Sequence, residues 1–185
     1  MPLIYSFLTS LDGYINDRHG SFDWATPDPE VHQFFNEQAR SAGTYLYGRR
    51  LYEVMRVWET IDHDPDAHPV EREFAQIWRD ADKIVFSRSL PEVQTTRTHL
   101  ERTFDPARVR DLIRSAGGDV TVGGADLGAQ ALRAGLVDEI HQCFAPVIVG
   151  GGTRFLPDGI SLALDLLEER RFGNGMVFVR YAVRK

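Results

Sequence analysis

Asp119-Val-Thr-Val-Gly-Gly-Ala-Asp-Leu-Gly-Ala-Gln-Ala-Leu132 passes from a short β-branched segment through two glycines into a stretch with helical spacing of Ala and Leu. The pattern predicts a buried strand, a tight turn and the start of a helix. Gly123 and Gly124 lack the side chains that keep a ligand off the main chain, and they open dihedrals closed to other residues. The helix that follows offers unpaired amide N–H groups and about half a positive charge at its first turn. An anion suits such a turn, and so does a plain strand-to-helix bend. The spacing is neither G-x-G-x-x-G nor G-x-x-x-x-G-K-[ST], because Ala129 and Gln130 follow Gly128. The choice rests on the flanking chain.

Upstream, the same arrangement recurs. Thr44-Tyr-Leu-Tyr47 reads as a short strand closed by Gly48, and Arg49-Arg-Leu-Tyr-Glu-Val-Met55 at once restarts a helix. Lys83-Ile-Val-Phe-Ser87 is another short strand, with Arg88 just beyond it. A helix from Asp28 or Pro29 to about Ala42 is capped by Thr26 or Asp28 and carries Val31, Phe34, Phe35 and Ala39 near helical spacing. A second, Val70 to Asp82, sets Phe74, Ile77, Trp78 and Ala81 on one face. A third runs from Asp105-Pro106 to about Ser115, where Gly117-Gly118 ends it. Thr95 to Arg102 alternates weakly, as an edge strand does. At the start of the chain, Leu3 to Thr9 is apolar without alternation, as expected for a strand buried on both faces. Ser10-Leu-Asp-Gly-Tyr-Ile15 and the polar Asn16 to Ser21 then predict a long loop anchored by Phe22 and Trp24, and long loops in compact domains are often functional.

Downstream, Asp138 to Val149 is a strand signal interrupted by Pro146. Gly150-Gly-Gly-Thr153 forms a second glycine loop, either a bend or a further phosphate site. Ser161 to Arg171 and Gly175 to Arg184 read as strands joined by Phe172-Gly-Asn-Gly175, in which Asn174-Gly175 is a hairpin signal. Strands alternate with helices until this hairpin, so the expected fold is α/β, a mostly parallel sheet with an antiparallel C-terminal hairpin. Leu162, Leu164, Leu166, Leu167, Val177, Phe178 and Val179 give the hairpin more apolar surface than an exposed edge carries, which predicts a homodimer.

With 185 residues, 43% of them hydrophobic, and no break in composition, residues 1–185 are expected to form a single domain. A net charge of -6 argues against nucleic acid or an anionic membrane as partner. Cys143 is the single cysteine, so no internal disulfide and no multi-cysteine zinc site is available. Asp62, Asp64, Asp66 and Glu73 fall at calcium-loop positions, but Ala67 stands where glycine is required and Pro69 breaks the second half. That segment, including His63 and His68, is read as a solvated acidic loop, and no metal is expected. Met1 to Phe7 lacks a charged leader, and the longest apolar run, Phe144 to Val149, is far short of the roughly 20 residues a membrane span needs. A cytoplasmic location is the default.

The element order places Gly48-Arg49-Arg50, Ser87-Arg88 and Gly123-Gly124 at carboxyl ends of strands, where open α/β sheets bind ligands. A pyrophosphate at the Gly123-Gly124 helix start, with a further phosphate among Arg49, Arg50 and Arg88, describes NADPH. A charge-assisted hydrogen bond of about 1.5–3 kcal/mol favours NADPH over NADH by roughly ten- to a hundredfold. The competing view is that the arginines are ordinary surface residues.

Ser10-Leu-Asp-Gly-Tyr-Ile15, Gly48-Arg49 with Tyr52-Glu53, Lys83 to Ser87, Val122-Gly-Gly-Ala125, Gly135-Leu-Val-Asp-Glu139 and Pro146-Val-Ile-Val-Gly-Gly-Gly152, in this order, resemble the dihydrofolate reductase superfamily. The set is most similar to the reductase domain of the bifunctional riboflavin-biosynthesis deaminase/reductase, and it covers nearly the whole chain. The resemblance implies a three-layer α/β/α fold, NADPH as cofactor and often a homodimer. It implies that Arg49 and Arg50, after Gly48, meet the adenosine 2′-phosphate, and that Ser87 and Arg88 lie beside the adenine. Gly123, Gly124, Ala125 and Leu127 match the pyrophosphate turn. The backbone of Leu8 and Ile15 would meet the nicotinamide carboxamide, with residues 10 to 24 as a mobile loop and Trp24 on the substrate side.

Two departures bear on the chemistry. The chain has no deaminase and no H-x-E with P-C-x-x-C. A folate reductase carries an acid early in the helix after its loop tryptophan, whereas Asp28 and Glu30 match that position only with an insertion or deletion. Asp28 and Glu30, with Asp12, are the candidate proton donors, against roles as helix-start charges or a turn residue. The function expected is an NADPH-dependent reductase of a small pterin-like or riboflavin-pathway pyrimidine-like heterocycle. The alternative is a dinucleotide-binding or ligand-sensing protein that uses the same pocket without turnover.

Overall fold

The computed structural model describes residues 1–185, and the strand expected at the start spans Leu3–Ser10 (β1). The chain continues through Tyr14–Asn16 (β2), a 3₁₀ turn at Asp23–Ala25 and helix Pro29–Ala39 (α1) into Ala42–Gly48 (β3). Arg49–Met55 (α2) and Pro69–Asp80 (α3) lead to Asp82–Phe86 (β4) and Thr98–Glu101 (β5). Pro106–Ser115 (α4), Asp119–Gly123 (β6) and Ala125–Arg133 (α5) follow. Glu139–Ala145 (β7), Thr153–Arg154 (β8), Leu164–Arg171 (β9) and Val177–Val183 (β10) complete the chain.

Eight strands form one sheet in the order β5-β4-β3-β6-β1-β7-β10-β9, while β2 and β8 pair as a separate ribbon. The six strands from β5 to β7 are parallel, and β10 is antiparallel to both β7 and β9. The mostly parallel sheet with an antiparallel C-terminal hairpin is therefore present.

The layers follow from the two-residue period of the strands. Leu46 of β3 faces a core formed with α4 and α5, through Val109, Ile113, Leu127, Ala131 and Leu132. Its neighbours Tyr45 and Tyr47 point the other way, toward Trp78 of α3 and Tyr52 of α2. Farther along that second face, Val31 and Phe34 of α1 pack on Cys143, Ala145 and Phe178. Helices thus cover both faces, and a fully buried Leu such as Leu46 contributes about 1.5–3 kcal/mol. Cys143 is a buried free thiol, and burial pushes it up to about 12.

Lys83, at the second position of β4, is fully buried, yet it is not an orphan charge. Its ammonium donates to the carbonyls of Trp78 and Ala81 at 2.8 Å each and lies 4.3 Å from the Trp78 ring centre, so it caps the C-terminal end of α3. The segment read as a solvated acidic loop is more ordered than expected. It holds 3₁₀ turns at Arg56–Glu59 and Ile61–His63, and Asp62 takes a two-pronged bond from Arg79 of α3 at 2.8 and 3.0 Å. Glu73 instead accepts from Asn36, so the carboxylates at the calcium-loop positions serve different partners. No helix is long and apolar enough to cross a membrane.

Candidate functional site

Parallel register brings the three junctions together. Tyr47 of β3 pairs with Gly123 of β6, and Gly48 pairs with Phe86 of β4, so the carboxyl ends of β4, β3 and β6 lie side by side. Gly124 takes φ +100°, a left-handed conformation that favours glycine, and caps α5 with no side-chain bond to the first turn. The first helical bond runs from the Gly128 amide to the Gly124 carbonyl at 2.8 Å. The first-turn N–H groups of α5 therefore receive no side-chain cap from Gly124, with Ala125 as the first helical residue. Asp126 stands exposed in that same turn, a like charge for any bound phosphate.

The two glycines have different reasons. A Cβ on Gly123 would lie 2.3 Å from Leu51 Cδ2, so the Leu51 side chain of α2 rests over this glycine. A Cβ on Gly124 would make only ordinary contacts, with the Gly48 backbone from 3.5 Å and Leu51 Cβ at 4.0 Å, and its glycine is required by conformation. Leu127 is a core side chain, leaving its backbone as the part that faces the turn. Arg49 and Arg50 are exposed at the end of β3, and Arg49 is 3.8 Å from Glu53, a loose pairing that leaves the guanidinium accessible. Arg88 is also exposed. Ser87 is buried, and its hydroxyl accepts the Leu90 amide at 2.9 Å, so it shapes the turn. Arg102, which the sequence reading passed over, donates to the carbonyls of Ser87 and Leu90 and braces that turn.

On the far side of β6, the ends of β1 and β7 carry the 10–24 loop and the second glycine loop. The 10–24 loop implied by resemblance is bonded to the glycine loop. The Asp12 carboxylate accepts the Val149 and Gly150 amides at 3.2 and 2.8 Å, Asn16 accepts the Thr153 amide at 3.0 Å, and Arg18 donates to the Gly150 carbonyl at 2.7 Å. The Leu11 amide donates to the Val147 carbonyl at 2.8 Å. Gly152, at φ +138°, approaches Asn16 so closely that a Cβ would meet its carbonyl oxygen at 1.9 Å. The donors that a phosphate would need at Val149 and Gly150 are thus already used by Asp12. Ile15 lies in β2 against the main core, and Leu8 packs against Val31 and its neighbours. The Trp24 indole donates to the Ser21 carbonyl at 3.2 Å, which anchors the end of the loop.

The three candidate carboxylates differ in engagement. Asp28 is the α1 N-cap and accepts the Val31 amide at 2.9 Å. Asp12 is held below the usual carboxylate range by the Ser10 hydroxyl beside it, with the Gly150 and Val149 amides adding to the effect against desolvation. Glu30, in the first turn of α1, spends one oxygen on the Gly173 amide in the hairpin turn at 3.0 Å and is otherwise exposed. It joins α1 to the hairpin at the same end of the sheet. A surface cleft of about 760 Å³ lies at the opposite ends of the strands, around Arg40, Asp80, Asp82, Arg97 and Gly118, away from all of these residues.

Comparison with known proteins places the chain. The RibD C-terminal domain family matches residues 2–178. The uncharacterized protein YyaP of Bacillus subtilis (strain 168) is 28% identical over 181 residues, covering 97% of this chain and 93% of that protein. A putative riboflavin biosynthesis protein from Shewanella sp. PV-4 superposes with a TM-score of 0.75 at 20% identity, with both chains covered in full. A dihydrofolate reductase from Enterococcus faecalis, complexed with NADP(H), superposes with a TM-score of 0.59 at 14% identity, covering 100% of this chain and 97% of that one.

Proposed function

Because the chain belongs to the RibD C-terminal domain family, we propose that it is an NADPH-dependent reductase of a small pterin-like or riboflavin-pathway pyrimidine-like heterocycle. The observation that carries this reading is the adjacency of the uncapped α5 start at Gly124 to the exposed Arg49 and Arg50, one strand away. That layout suits a dinucleotide with an extra phosphate. Gly123, Gly124, Ala125 and the Leu127 backbone would hold the pyrophosphate, Arg49 and Arg50 the 2′-phosphate, and the turn at Ser87 and Arg88 the adenine. Leu8 and Ile15 would border the nicotinamide, and Trp24 the substrate. When bound, NADPH supplies the hydride.

The chain's own part is to orient the ligands and to handle a proton. Among Asp12, Asp28 and Glu30, we favour Glu30, because it is exposed and spends only one oxygen, on the Gly173 amide, whereas Asp12 spends both oxygens on the Val149 and Gly150 amides and the half-buried Asp28 caps α1 through Val31. We also read the exposed leucines of the hairpin as the contact with a second copy, giving a homodimer in the cytoplasm.

The test is fluorescence titration with NADPH and NADH, followed by NADPH oxidation assays with dihydrofolate and the riboflavin-pathway pyrimidine as acceptors. NADPH is expected to bind ten- to a hundredfold more tightly than NADH, about 1.5–3 kcal/mol. No NADPH binding at millimolar concentration removes the reading. Binding without oxidation by any acceptor supports the alternative of a dinucleotide-binding or sensing protein, a reading favoured by the engagement of Asp12 and Asp28.

A further inference from the structure

The strand order β4-β3-β6-β1-β7 sets two groups of features along one edge of the sheet, over about 19 Å at roughly 4.8 Å per strand. The arginines and Gly124 occupy the β4-β3-β6 half. The 10–24 loop and the 149–153 loop occupy the β1-β7 half, where a dinucleotide seated at Gly124 must place whatever extends beyond its pyrophosphate.

Those two loops are joined mainly by polar bonds. Val149 and Gly150 present successive amides to one carboxylate, with Gly150 at φ +70°, an arrangement that forms an anion-binding concavity. The anion is the protein's own Asp12, from a segment 138 residues away in sequence. Asn16 and Arg18 add bonds on the far side of the same contact, and β2 pairs with β8 between them. The residues closing this contact are half-buried or exposed, so hydrophobic packing alone does not hold it shut.

We propose that Asp12 is a positioning residue: its carboxylate, seated on the Val149 and Gly150 amides, latches the 10–24 loop to the glycine loop and fixes the wall met by the far half of the bound dinucleotide. The proposal rests on the dinucleotide reading for its ligand, and on the hydrogen bonds alone for the latch. An aspartate fits because two charge-assisted acceptors are needed at once. Asparagine keeps one acceptor and turns an N–H₂ group toward the second amide, so it holds the latch only in part.

The experiment compares wild type, Asp12→Asn and Asp12→Ala in three measurements. These are NADPH affinity, affinity for adenosine 2′,5′-bisphosphate, which reaches only the arginine half, and amide hydrogen exchange. Asp12→Ala is expected to weaken NADPH about tenfold and to leave the bisphosphate within about twofold, with Asp12→Asn in between. Loss of one charge-assisted bond is sufficient for a change of that size. Exchange is expected to speed up at residues 14–16 and 153–155 and to stay unchanged in β3, β6 and α5.

Equal weakening of both ligands together with a lower melting temperature would mean that Asp12 supports the fold at large, and the proposal falls. Unchanged NADPH affinity and unchanged exchange in Asp12→Ala also overturn it. If wild type binds neither ligand, the cofactor reading fails by itself. The exchange comparison then still decides the latch, because accelerated exchange confined to the two loops upholds it and unchanged exchange refutes it.

Discussion

Gly128, one turn into α5, lies against the ring of Tyr5 so closely that a Cβ would come within 2.3 Å of Cε2 and Cζ. Tyr5 is fully buried, stacks on Phe155 with ring centres 4.5 Å apart and donates its hydroxyl to the Phe155 carbonyl at 2.8 Å, so it cannot move aside. Gly128→Ala is therefore an overpacking change of about 1–3 kcal/mol, offset by roughly 1 kcal/mol of helix propensity. Relief comes only by lifting α5 from the sheet, which also displaces the amides beside Gly124. We expect a lower urea midpoint and weaker NADPH binding together. A variant that keeps both would show that the contact is soft.

The glycines illustrate what is legible in a sequence. Gly124 and Gly175 are demanded by their own dihedrals, φ +100° and +89°, and Asp28 and Asp105 by the helix amides next to them, so local chemistry reveals each. Gly128 is demanded by Tyr5, and Gly123 has the Leu51 side chain folded over it, both from other elements. Gly123 could thus be placed correctly at the turn while the reason for it stayed hidden. The same limit applies to Asp12, whose Asp-Gly turn is readable, although its amide partners lie more than a hundred residues away. The Ser87 hydroxyl serves a turn that only Leu90 and Arg102 make visible.

Tyr45 and Tyr47 stack with ring centres 5.6 Å apart, yet their hydroxyls fare differently. Tyr47 accepts the Trp78 indole N–H at 3.1 Å, whereas the buried Tyr45 hydroxyl has no partner. Removing an unpaired hydroxyl relieves a desolvation penalty, while removing a paired one leaves the indole N–H stranded at about 1–3 kcal/mol. Tyr45→Phe should leave thermal stability unchanged or raise it, and Tyr47→Phe should lower it. Equal losses in the two variants would contradict the assignment.

Acid should loosen the β7–β10–β9 end of the sheet first. Burial pushes His141 below 6.5, although its bond to Glu139 at 2.8 Å opposes the shift. Burial acts on Glu139 in the raising direction, but bonds from Arg180 and His141 outweigh it and hold the carboxyl below its usual 4.5. The signs agree. As pH falls below 6.5, the unfolded chain takes a proton at His141 that the folded chain declines, and the stability from Glu139 is lost as pH falls from 4.5 through its folded value. Arg180, within 4.0 Å of Glu168, stays charged throughout. The urea midpoint should decline from pH 7 to 5, and His141→Gln, which can still donate to Glu139 without titrating, should flatten that decline. Parallel profiles for the two proteins would place the acid sensitivity elsewhere.

The edge strand β9 leaves Leu164, Leu166 and Leu167 at 36, 53 and 50% exposure, beside Val177 at 38% on β10. Pairing puts Leu164, Leu166, Glu169 and Arg171 opposite Val183, Tyr181, Val179 and Val177, so one face of the hairpin carries an apolar row with an acid and a base at its end. A two-fold axis through the leucine end of such a face sets leucine on leucine, a self-complementary apolar contact that suits an isologous dimer. Sedimentation velocity at micromolar concentration should report a homodimer. Leu166→Glu with Leu167→Glu buries uncompensated charge in that contact, which is strongly unfavourable, and should yield monomers. Since both leucines are exposed within one chain, the monomer should keep its circular dichroism. A wild type that sediments as a monomer up to about a hundred micromolar would leave this face without a partner of its own kind.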